Sequence, residues 1–415
     1  MKFSSLDLSP ELQEALDECG YTDMTPIQEQ AIVPGRRGKD LLANAQTGTG
    51  KTAAFSIPIL QKISDNPRDL SERQIRSIIL TPTRELAQQL AETIGRYNKH
   101  LNLRILAVYG GVNLDTQKKK LRHGADVLIA TPGRLIEHLS GSNVDLSKTE
   151  FAVLDEADRM LDMGFVTDVL SILEATPSSK QTLLFSATLS DAVHKLSRKI
   201  QKKPEQIKAA RQNSIADTVD HVVYPVEEKR KADLFAELIQ EENWFQVLVF
   251  TSTKAQANEL MLDLKVDGIE AVICHGDKSQ GARRRAVADF KAGKIQVLVA
   301  TEVAARGLDI QGLEHVVNYN LPYLAEDYVH RVGRTGRAGT QGKAISFVSR
   351  EEESALDSIE HLIGTPIKRI FRKGYEVGSR EGLRKRIHKK GPKKKHNKAT
   401  RTQVIGRKSS AKKKR

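Results

Sequence analysis

The chain reads Ala45-Gln46-Thr47-Gly48-Thr49-Gly50-Lys51-Thr52 between a short apolar run and a helical pattern that extends from Thr52 to Ile63. Glycines let backbone N–H groups approach phosphate oxygens, a lysine supplies positive charge, and a threonine hydroxyl at a helix N-terminus can bind Mg²⁺. The stretch therefore predicts a phosphate-binding loop in which Lys51 and Thr52 have these roles. The alternative is a Gly-rich turn, because Ala45 stands where the general pattern has glycine.

Short runs rich in Val, Ile and Leu alternate with amphipathic stretches along most of the chain. Buried parallel strands have this composition because helices cover both faces of their sheet. The pattern predicts an α/β fold built on parallel sheets. The expected strands are 40–43, 77–80, 104–108, 127–130, 151–154 and 182–185, followed by 246–250, 270–274, 295–300, 315–319 and 343–348.

The chain has 415 residues, more than one hydrophobic core usually organises. A polar stretch without periodicity interrupts the alternation after Pro204 and is typical of a linker between domains. We therefore predict a first domain over residues 1–207, a linker over 208–218, a second domain over 219–371 and a tail over 372–415.

The predicted tail contains 19 Lys and Arg against 2 Asp and Glu, a net charge of +17, whereas the whole chain carries +14. The remainder is therefore close to neutral, at −3. No aromatic residue follows Tyr375, and a stretch with so few apolar side chains cannot offset its ordering entropy. We expect the tail to be disordered and to bind phosphate groups.

The two cysteines, Cys19 and Cys274, are far apart and have no metal-ligand spacing. Neither an apolar leader after Met1 nor a run of about 18 apolar residues occurs. We therefore expect a cytoplasmic protein with no membrane partner.

Asp155-Glu156-Ala157-Asp158 directly follows the apolar run 151–154. Ligands of α/β proteins bind at the carboxyl ends of the strands, so these carboxylates are predicted to lie beside the phosphate loop. Asp155 is suited to hold Mg²⁺, and Glu156 to orient or deprotonate the water that attacks the γ-phosphate. For this tetrapeptide alone, a charged turn is the competing interpretation.

The second domain contains His330-Arg331-Val332-Gly333-Arg334-Thr335-Gly336-Arg337 but no Gly-Lys-Ser/Thr triplet of its own. Its arginines can reach a nucleotide on the first domain only if the two domains close together. Arg334 and Arg337 are therefore predicted to stabilise transition-state charge from across the cleft. A solvated basic turn is the alternative.

These motifs and their order resemble those of DEAD-box RNA helicases, most of all the RhlE-like bacterial group, from about Phe3 to Phe371. The resemblance implies two tandem RecA-like P-loop NTPase domains, ATP and Mg²⁺ as cofactors, and RNA as partner. It also implies that Gln28, in Thr25-Pro26-Ile27-Gln28, reads the adenine edge, that Phe3 stacks on the base and that Asp309 contacts the ribose. Glu302 departs from the family, which usually has Asp after the threonine at 301.

The resemblance further implies contacts to the backbone of one RNA strand, which carry little sequence information. Their residues are Pro82, Thr83, Arg84, Gly110, Gly111, Thr131, Arg134, Thr253, Gly276, Asp277 and Thr301. Ser186 and Thr188, together with His330 and Arg331, are implied to couple hydrolysis to strand separation.

The sequence thus predicts an RNA helicase that hydrolyses ATP at the interdomain cleft under RNA stimulation, separates short duplexes locally and remodels RNA–protein complexes. Ribosomal and mRNA-decay complexes are partners that the resemblance allows. Two other functions stay open: an RNA chaperone whose basic tail does the work, and a DNA helicase. RNA-stimulated ATPase activity without the tail would exclude the first, and weak stimulation by DNA would exclude the second.

Overall fold

The structure is a computed structural model that describes residues 1–45, 48–68, 73–208, 219–305, 310, 312–336 and 342–376. Several predicted features lie outside these residues: Gln46 and Thr47 of the phosphate loop, Asp309, Arg337, linker residues 209–218 and tail residues 377–415. In the described part, no helix is long and apolar enough to cross a membrane.

The first sheet contains seven parallel strands in the order β3-β4-β2-β5-β6-β1-β7. The strands are β1 (Leu41–Asn44), β2 (Ser77–Leu80), β3 (Ile105–Val108), β4 (Val127–Ala130), β5 (Phe151–Leu154), β6 (Gln181–Ser186) and β7 (Glu205–Lys208). A short 3₁₀ helix, Phe3–Ser5, precedes the α-helices of this domain. These are α1 (Pro10–Glu18), α2 (Pro26–Arg36), α3 (Lys51–Asp65), α4 (Arg84–Tyr97), α5 (Leu114–Leu121), α6 (Pro132–Ser140), α7 (Ala157–Asp162), α8 (Val166–Glu174) and α9 (Asp191–Ile200).

The second sheet also has seven parallel strands, in the order β10-β11-β9-β12-β13-β8-β14. The strands are β8 (Val219–Pro225), β9 (Val247–Thr251), β10 (Ala271–Cys274), β11 (Val297–Thr301), β12 (His315–Asn318), β13 (Gly342–Val348) and β14 (Lys368–Arg369). Its α-helices are α10 (Lys231–Glu241), α11 (Lys254–Val266), α12 (Gln280–Lys291), α13 (Glu302–Ala305), α14 (Ala325–Val332) and α15 (Glu353–Ile363). The 3₁₀ helices Glu228–Arg230 and Arg350–Glu352 complete the described elements.

The two sheets have the same topology, strand for strand, when the strands of each domain are counted from its start. Alternate residues of the strands enter separate hydrophobic clusters on the two faces of each sheet. In β2, for example, Ile79 packs on one face, while Ile78 and Leu80 pack on the other. The predicted class of tandem RecA-like α/β domains is confirmed.

The predicted strands agree with the observed ones to within two residues at each end, but β7, β8 and β14 were not predicted. β7 and β14 are edge strands with exposed positions, so they lack the apolar run on which the prediction depended. β7 also extends to Lys208, one residue into the predicted linker.

The packed body extends beyond the predicted start of the tail at Arg372. The Arg372 guanidinium pairs with Glu237 and Glu241 of α10, and the hydroxyl of Tyr375 donates to Glu237 at 2.8 Å. The guanidinium of Arg230 lies 4.4 Å from the centroid of the Tyr375 ring. These ion-pair and cation–π contacts hold residues 372–376 on the second domain, although the segment has few apolar side chains.

Candidate functional site at the domain interface

The phosphate loop lies where β1 ends and α3 begins, at the carboxyl edge of the first sheet. Gly50 precedes the helix with φ of 95°, a left-handed conformation that favours glycine. A side chain at this position would also collide with the amide of Gln28. Gln28 donates to the carbonyl of Gly50 at 3.2 Å, and Thr25 donates from its hydroxyl to Thr49 at 2.7 Å. Helix α2 thus holds the loop in place.

Lys51 and Asp155 form the buried charged centre of this site, with 6% and 4% of their side chains exposed. The Lys51 Nζ lies 3.6 Å from Asp155 Oδ1, and it has no hydrogen-bond partner among the described residues. Burial opposes the charge of Lys51, but the carboxylates of Asp155, Glu156 and Asp158 outweigh it and raise its pKa. Burial also raises the pKa of Asp155, against the effect of Lys51. A buried ammonium group that has one carboxylate at 3.6 Å and no hydrogen bond to the described residues fits a phosphate ligand.

Glu156 directly precedes α7 as its N-cap residue and has a φ of 55°, which is rare for a residue other than glycine. Such strain persists where the surrounding structure enforces it, and it is common at active sites. Here the Glu156 N–H donates to Asp155 Oδ1 at 3.1 Å, and the carbonyl of Glu156 accepts from Met160 N. The turn directs two successive carboxylates toward the carboxyl edge of the sheet.

Asp158 connects this segment to the end of β6. One carboxylate oxygen accepts from the Thr188 N–H at 2.9 Å and from the Thr188 hydroxyl at 3.1 Å. The backbone N–H of Asp158 donates to the Ser186 hydroxyl at 3.2 Å. The structure therefore brings together Ser186 and Thr188, the predicted coupling residues of the first domain, with the carboxylate segment.

A cavity of about 10 Å³, enough for one water molecule, lies between the two domains. Its lining residues from the first domain are Glu156 and Arg159, and those from the second are Phe250, Glu302, Ala305, His330, Arg331 and Arg334. The residue predicted to activate water and the arginine predicted to act from the other domain thus line the same small space.

Arg331 is held firmly in the wall of this cavity. It donates to Glu302 at 2.5 Å, to the Asn318 side chain at 3.0 Å and to the Asn320 carbonyl at 2.7 Å. Its guanidinium lies 5.0 Å from the centroid of the Phe250 ring. Glu302, which stands where the family usually has Asp, therefore has a defined role in the structure: its carboxylate accepts from Arg331.

A cleft of about 1000 Å³ opens on another part of the interface and is lined by both domains. All the predicted RNA-binding residues except Asp277 line it: Pro82, Thr83, Arg84, Gly110, Gly111, Thr131, Arg134, Thr253, Gly276 and Thr301. Asp277 pairs with Lys254 of the same cleft at 2.5 Å. These positions lie at or just after the carboxyl ends of six strands, three from each sheet, so the cleft is formed where the carboxyl edges of the two sheets face each other.

Two arginines of this cleft differ in their surroundings. The guanidinium of Arg84 passes directly over Gly111, whose φ of 77° and missing side chain allow the approach. Arg134 instead donates to the Val112 carbonyl at 2.9 Å and to Gln117 at 3.0 Å, and it pairs with Glu137 at 3.0 Å. Arg134 therefore also braces the loop that contains Gly110 and Gly111.

Phe3 and Gln28 lie differently from what their predicted contacts with a base require. Phe3 is completely buried, with its ring centroid 5.2 Å from that of Tyr21 in an edge-on arrangement. The Gln28 amide accepts from the Thr25 N–H at 2.8 Å and donates to Gly50. Stacking on a base would require the Phe3–Ser5 segment to uncover the ring, so both roles stay predictions.

The second domain places Lys231 at the position that corresponds to Lys51, at the start of the helix that follows the equivalent strand. Its ammonium group is fully buried and pairs with Glu228 at 2.7 Å and Glu352 at 2.5 Å. Two carboxylates thus satisfy the lysine where a phosphate would bind in the first domain. Because these carboxylates occupy its ammonium group, Lys231 is not available to a phosphate, which agrees with the absence of a Gly-Lys-Ser/Thr triplet from the sequence of the second domain.

Sequence reasoning missed two ion pairs that join the domains. Arg159 of α7 pairs with Asp327 of α14, and Arg283 of α12 pairs with Glu85 of α4 at 2.9 Å. Glu85 and Asp327 each lie within or beside a motif that the sequence identifies, but nothing in the sequence indicates which charges meet across the cleft.

Fold and site together define a two-domain P-loop NTPase with a second cleft between its domains. The DEAD/DEAH box helicase family model matches residues 25–196, and the helicase conserved C-terminal domain matches residues 230–339. The chain is 41% identical to the ATP-dependent RNA helicase CshA of Listeria monocytogenes over 359 residues, 86% of this chain and 68% of that protein. It therefore belongs to the DEAD-box helicase family, and it is an ATP-dependent RNA helicase.

Solved structures support the same assignment. S. cerevisiae Dbp5 bound to RNA and ADP BeF3 is similar with a TM-score of 0.77 and 32% identity, over 89% of this chain and 95% of that one. Mss116p bound to ssRNA and AMP-PNP is similar with a TM-score of 0.80 and 28% identity, over 90% of this chain and 80% of that one.

Proposed function

We propose that this helicase binds ATP and single-stranded RNA together across the interdomain cleft, and that their shared binding closes the two domains. Closure would bend one strand and release its partner, so that short duplexes separate locally and RNA–protein complexes are remodelled. The observation that carries this proposal is that residues of both domains line both the small cavity and the large cleft.

Lys51 binds the β- and γ-phosphates, because its buried ammonium group makes no hydrogen bond to the described residues and leaves room for phosphate oxygens as acceptors. Glu156 orients or deprotonates the attacking water, and Arg334 and Arg337 stabilise the charge that develops on the transferred phosphate. His330 and Arg331 act with Ser186 and Thr188 to couple hydrolysis to movement of the RNA. Arg334 can do its part only from the second domain, which makes turnover dependent on closure.

Thr52 and Asp155 are the residues that would hold Mg²⁺. Their hydroxyl and carboxylate oxygens are ligands that this hard cation prefers. The raised pKa of the buried Asp155 carboxylate fits a position where a further cation is needed. Bound Mg²⁺ would supply charge neutralisation at the β- and γ-phosphates.

RNA binding in the large cleft uses mainly the sugar-phosphate backbone, so little sequence specificity is expected. The similar proteins Dbp5 and Mss116p are bound to RNA and a nucleotide analogue in their solved structures, which supports binding of both ligands here. We further propose a cytoplasmic enzyme that acts on ribosomal or mRNA-decay complexes. The RhlE-like subgroup also stays a proposal, since the Listeria relative carries the name CshA.

Steady-state ATPase assays with and without RNA test the proposal. Lys51→Ala should abolish RNA-stimulated turnover, because it removes the charge that holds the phosphates. Turnover within about threefold of wild type, roughly 0.65 kcal/mol on the barrier, would refute the role of Lys51. Comparable stimulation by DNA would instead favour a DNA helicase.

A further inference from the structure

We propose that Arg159 and Asp327 are a positioning pair that aligns helix α14 with the Glu156 segment when the domains close. This inference rests on the proposed function, because alignment matters only if the domains close around ATP and RNA. The role lies outside the motif residues that sequence reasoning identified, since Arg159 follows the carboxylate tetrapeptide and Asp327 precedes His330.

The geometry makes this contact a marker of closure. Arg159 Nη1 pairs with Asp327 Oδ1, and only 4% and 8% of the two side chains are exposed. Arg159 belongs to α7 of the first domain, whereas Asp327 belongs to α14 of the second. Because the partners are on different domains, separation of the domains breaks the pair and returns both charges to water. The pair therefore affects the closing equilibrium far more than the folding of either domain.

The pair is placed so that it sets the position of the arginine that acts across the cleft. Asp327 lies in the first turn of α14, and Arg334 follows two residues after the helix ends at Val332. Arg159 lies three residues after Glu156 and lines the same cavity as Glu156 and Arg334. Tying Asp327 to Arg159 thus brings the start of α14 to the carboxylate segment. Misplacement of a catalytic group by about 1 Å can cost 10²-fold in rate.

The charges around the pair are unequal, which gives a sharper expectation. Burial opposes the charge of Arg159, yet the carboxylates of Asp327, Asp158, Glu302 and Glu156 raise its pKa. Arg159 would therefore keep acidic neighbours if Asp327 became neutral. Removal of Arg159 would instead leave all four of these carboxylates without its charge. Loss of Arg159 should accordingly harm closure more than loss of the Asp327 charge.

The test compares full-length wild type with Arg159→Gln, Asp327→Asn and the double variant. Maximal ATPase turnover at saturating RNA should fall at least tenfold in Arg159→Gln, about 1.4 kcal/mol, and less in Asp327→Asn. The double variant should be more active than Arg159→Gln, because it removes one of the carboxylates that Arg159 no longer neutralises. Fluorescent RNA should leave the ADP BeF3 complex faster in the same order. Melting temperatures should stay within about 2 °C of wild type, because the pair joins two domains whose hydrophobic clusters are separate.

Asp162→Asn is the matched control. Asp162 pairs with Arg159 at 3.4 Å within the first domain and is 39% exposed, so its loss should leave turnover and RNA release unchanged. If the losses of activity in the two single variants multiply in the double variant, the two residues act independently and the pair is refuted. A loss in Asp162→Asn as large as that in Arg159→Gln would refute it too. Wild type without RNA-stimulated turnover would refute the proposed function instead. The ADP BeF3 measurement needs no hydrolysis and tests the pair in either case.

Discussion

Replacing Glu156 by glutamine should separate binding from hydrolysis. The substitution keeps the size of the side chain and its hydrogen-bonding atoms but removes the carboxylate that can take a proton from water. The backbone at Glu156 is held by the Asp155 side chain and by the first turn of α7, neither of which depends on the Glu156 side chain. We therefore expect a folded protein that closes normally.

The structure also gives the direction of the effect on nucleotide binding. The ionisable residues of the small cavity, apart from His330, are the acids Glu156 and Glu302 and the bases Arg159, Arg331 and Arg334. Their charges sum to +1, and the substitution raises this value to +2. An anionic nucleotide should therefore bind at least as well, while loss of a general base lowers turnover by about 10² or more, roughly 2.7 kcal/mol on the barrier.

Single-turnover hydrolysis and RNA release in ATP measure the two effects separately. Hydrolysis should fall while the RNA complex formed in ATP persists for longer than in wild type. Lys51→Ala is the contrasting control, since it should lose nucleotide binding and turnover together. If Glu156→Gln loses its RNA affinity in ATP, Glu156 is structural and the water-activating role is wrong.

Three further predictions concern the separate domain, the base and the tail. A fragment of residues 1–208, checked for folding by circular dichroism, should bind nucleotide but show no RNA-stimulated ATPase, because Arg334 is missing; robust activity would refute action across the cleft. ATP should be preferred over GTP in competition binding, because guanine reverses the donor and acceptor pattern that Gln28 can pair with; equal affinities would remove adenine reading from Gln28. Deleting residues 377–415, which carry 17 Lys and Arg against 1 acidic residue, should flatten the slope of log RNA affinity against log salt by about 3.5 if some five phosphate contacts are lost. Maximal turnover should survive this deletion, and unchanged salt slopes would mean that the tail is inert.

The strands of the fold and the separate motifs of the site are determined by local sequence. Eleven of the fourteen described β strands are short apolar runs because helices cover both faces of their sheets, and that composition is visible without coordinates. The phosphate loop and the Asp155 to Asp158 segment are equally local, since each places its groups at the end of a single strand. The family resemblance and the class of fold followed from such segments taken in order.

Tertiary structure decided which of these groups meet. Edge strands such as β7 form by pairing with a neighbouring backbone and have mostly exposed side chains, so the sequence contains no apolar run that would predict them. Residues 372–376 pack on the second domain through charged groups and one aromatic ring. In sequence this segment cannot be told from the start of the basic tail, because it has the same charged composition.

The contacts between domains lie furthest from what sequence can determine. Arg159 and Asp327 are ordinary charged residues in helices, and each could equally be solvated on the surface of its own domain. Their burial and pairing depend on how two sheets face each other, which is set by many weak contacts distant in sequence. The same holds for the cavity that Glu156 shares with Arg334, because its two walls belong to different hydrophobic cores.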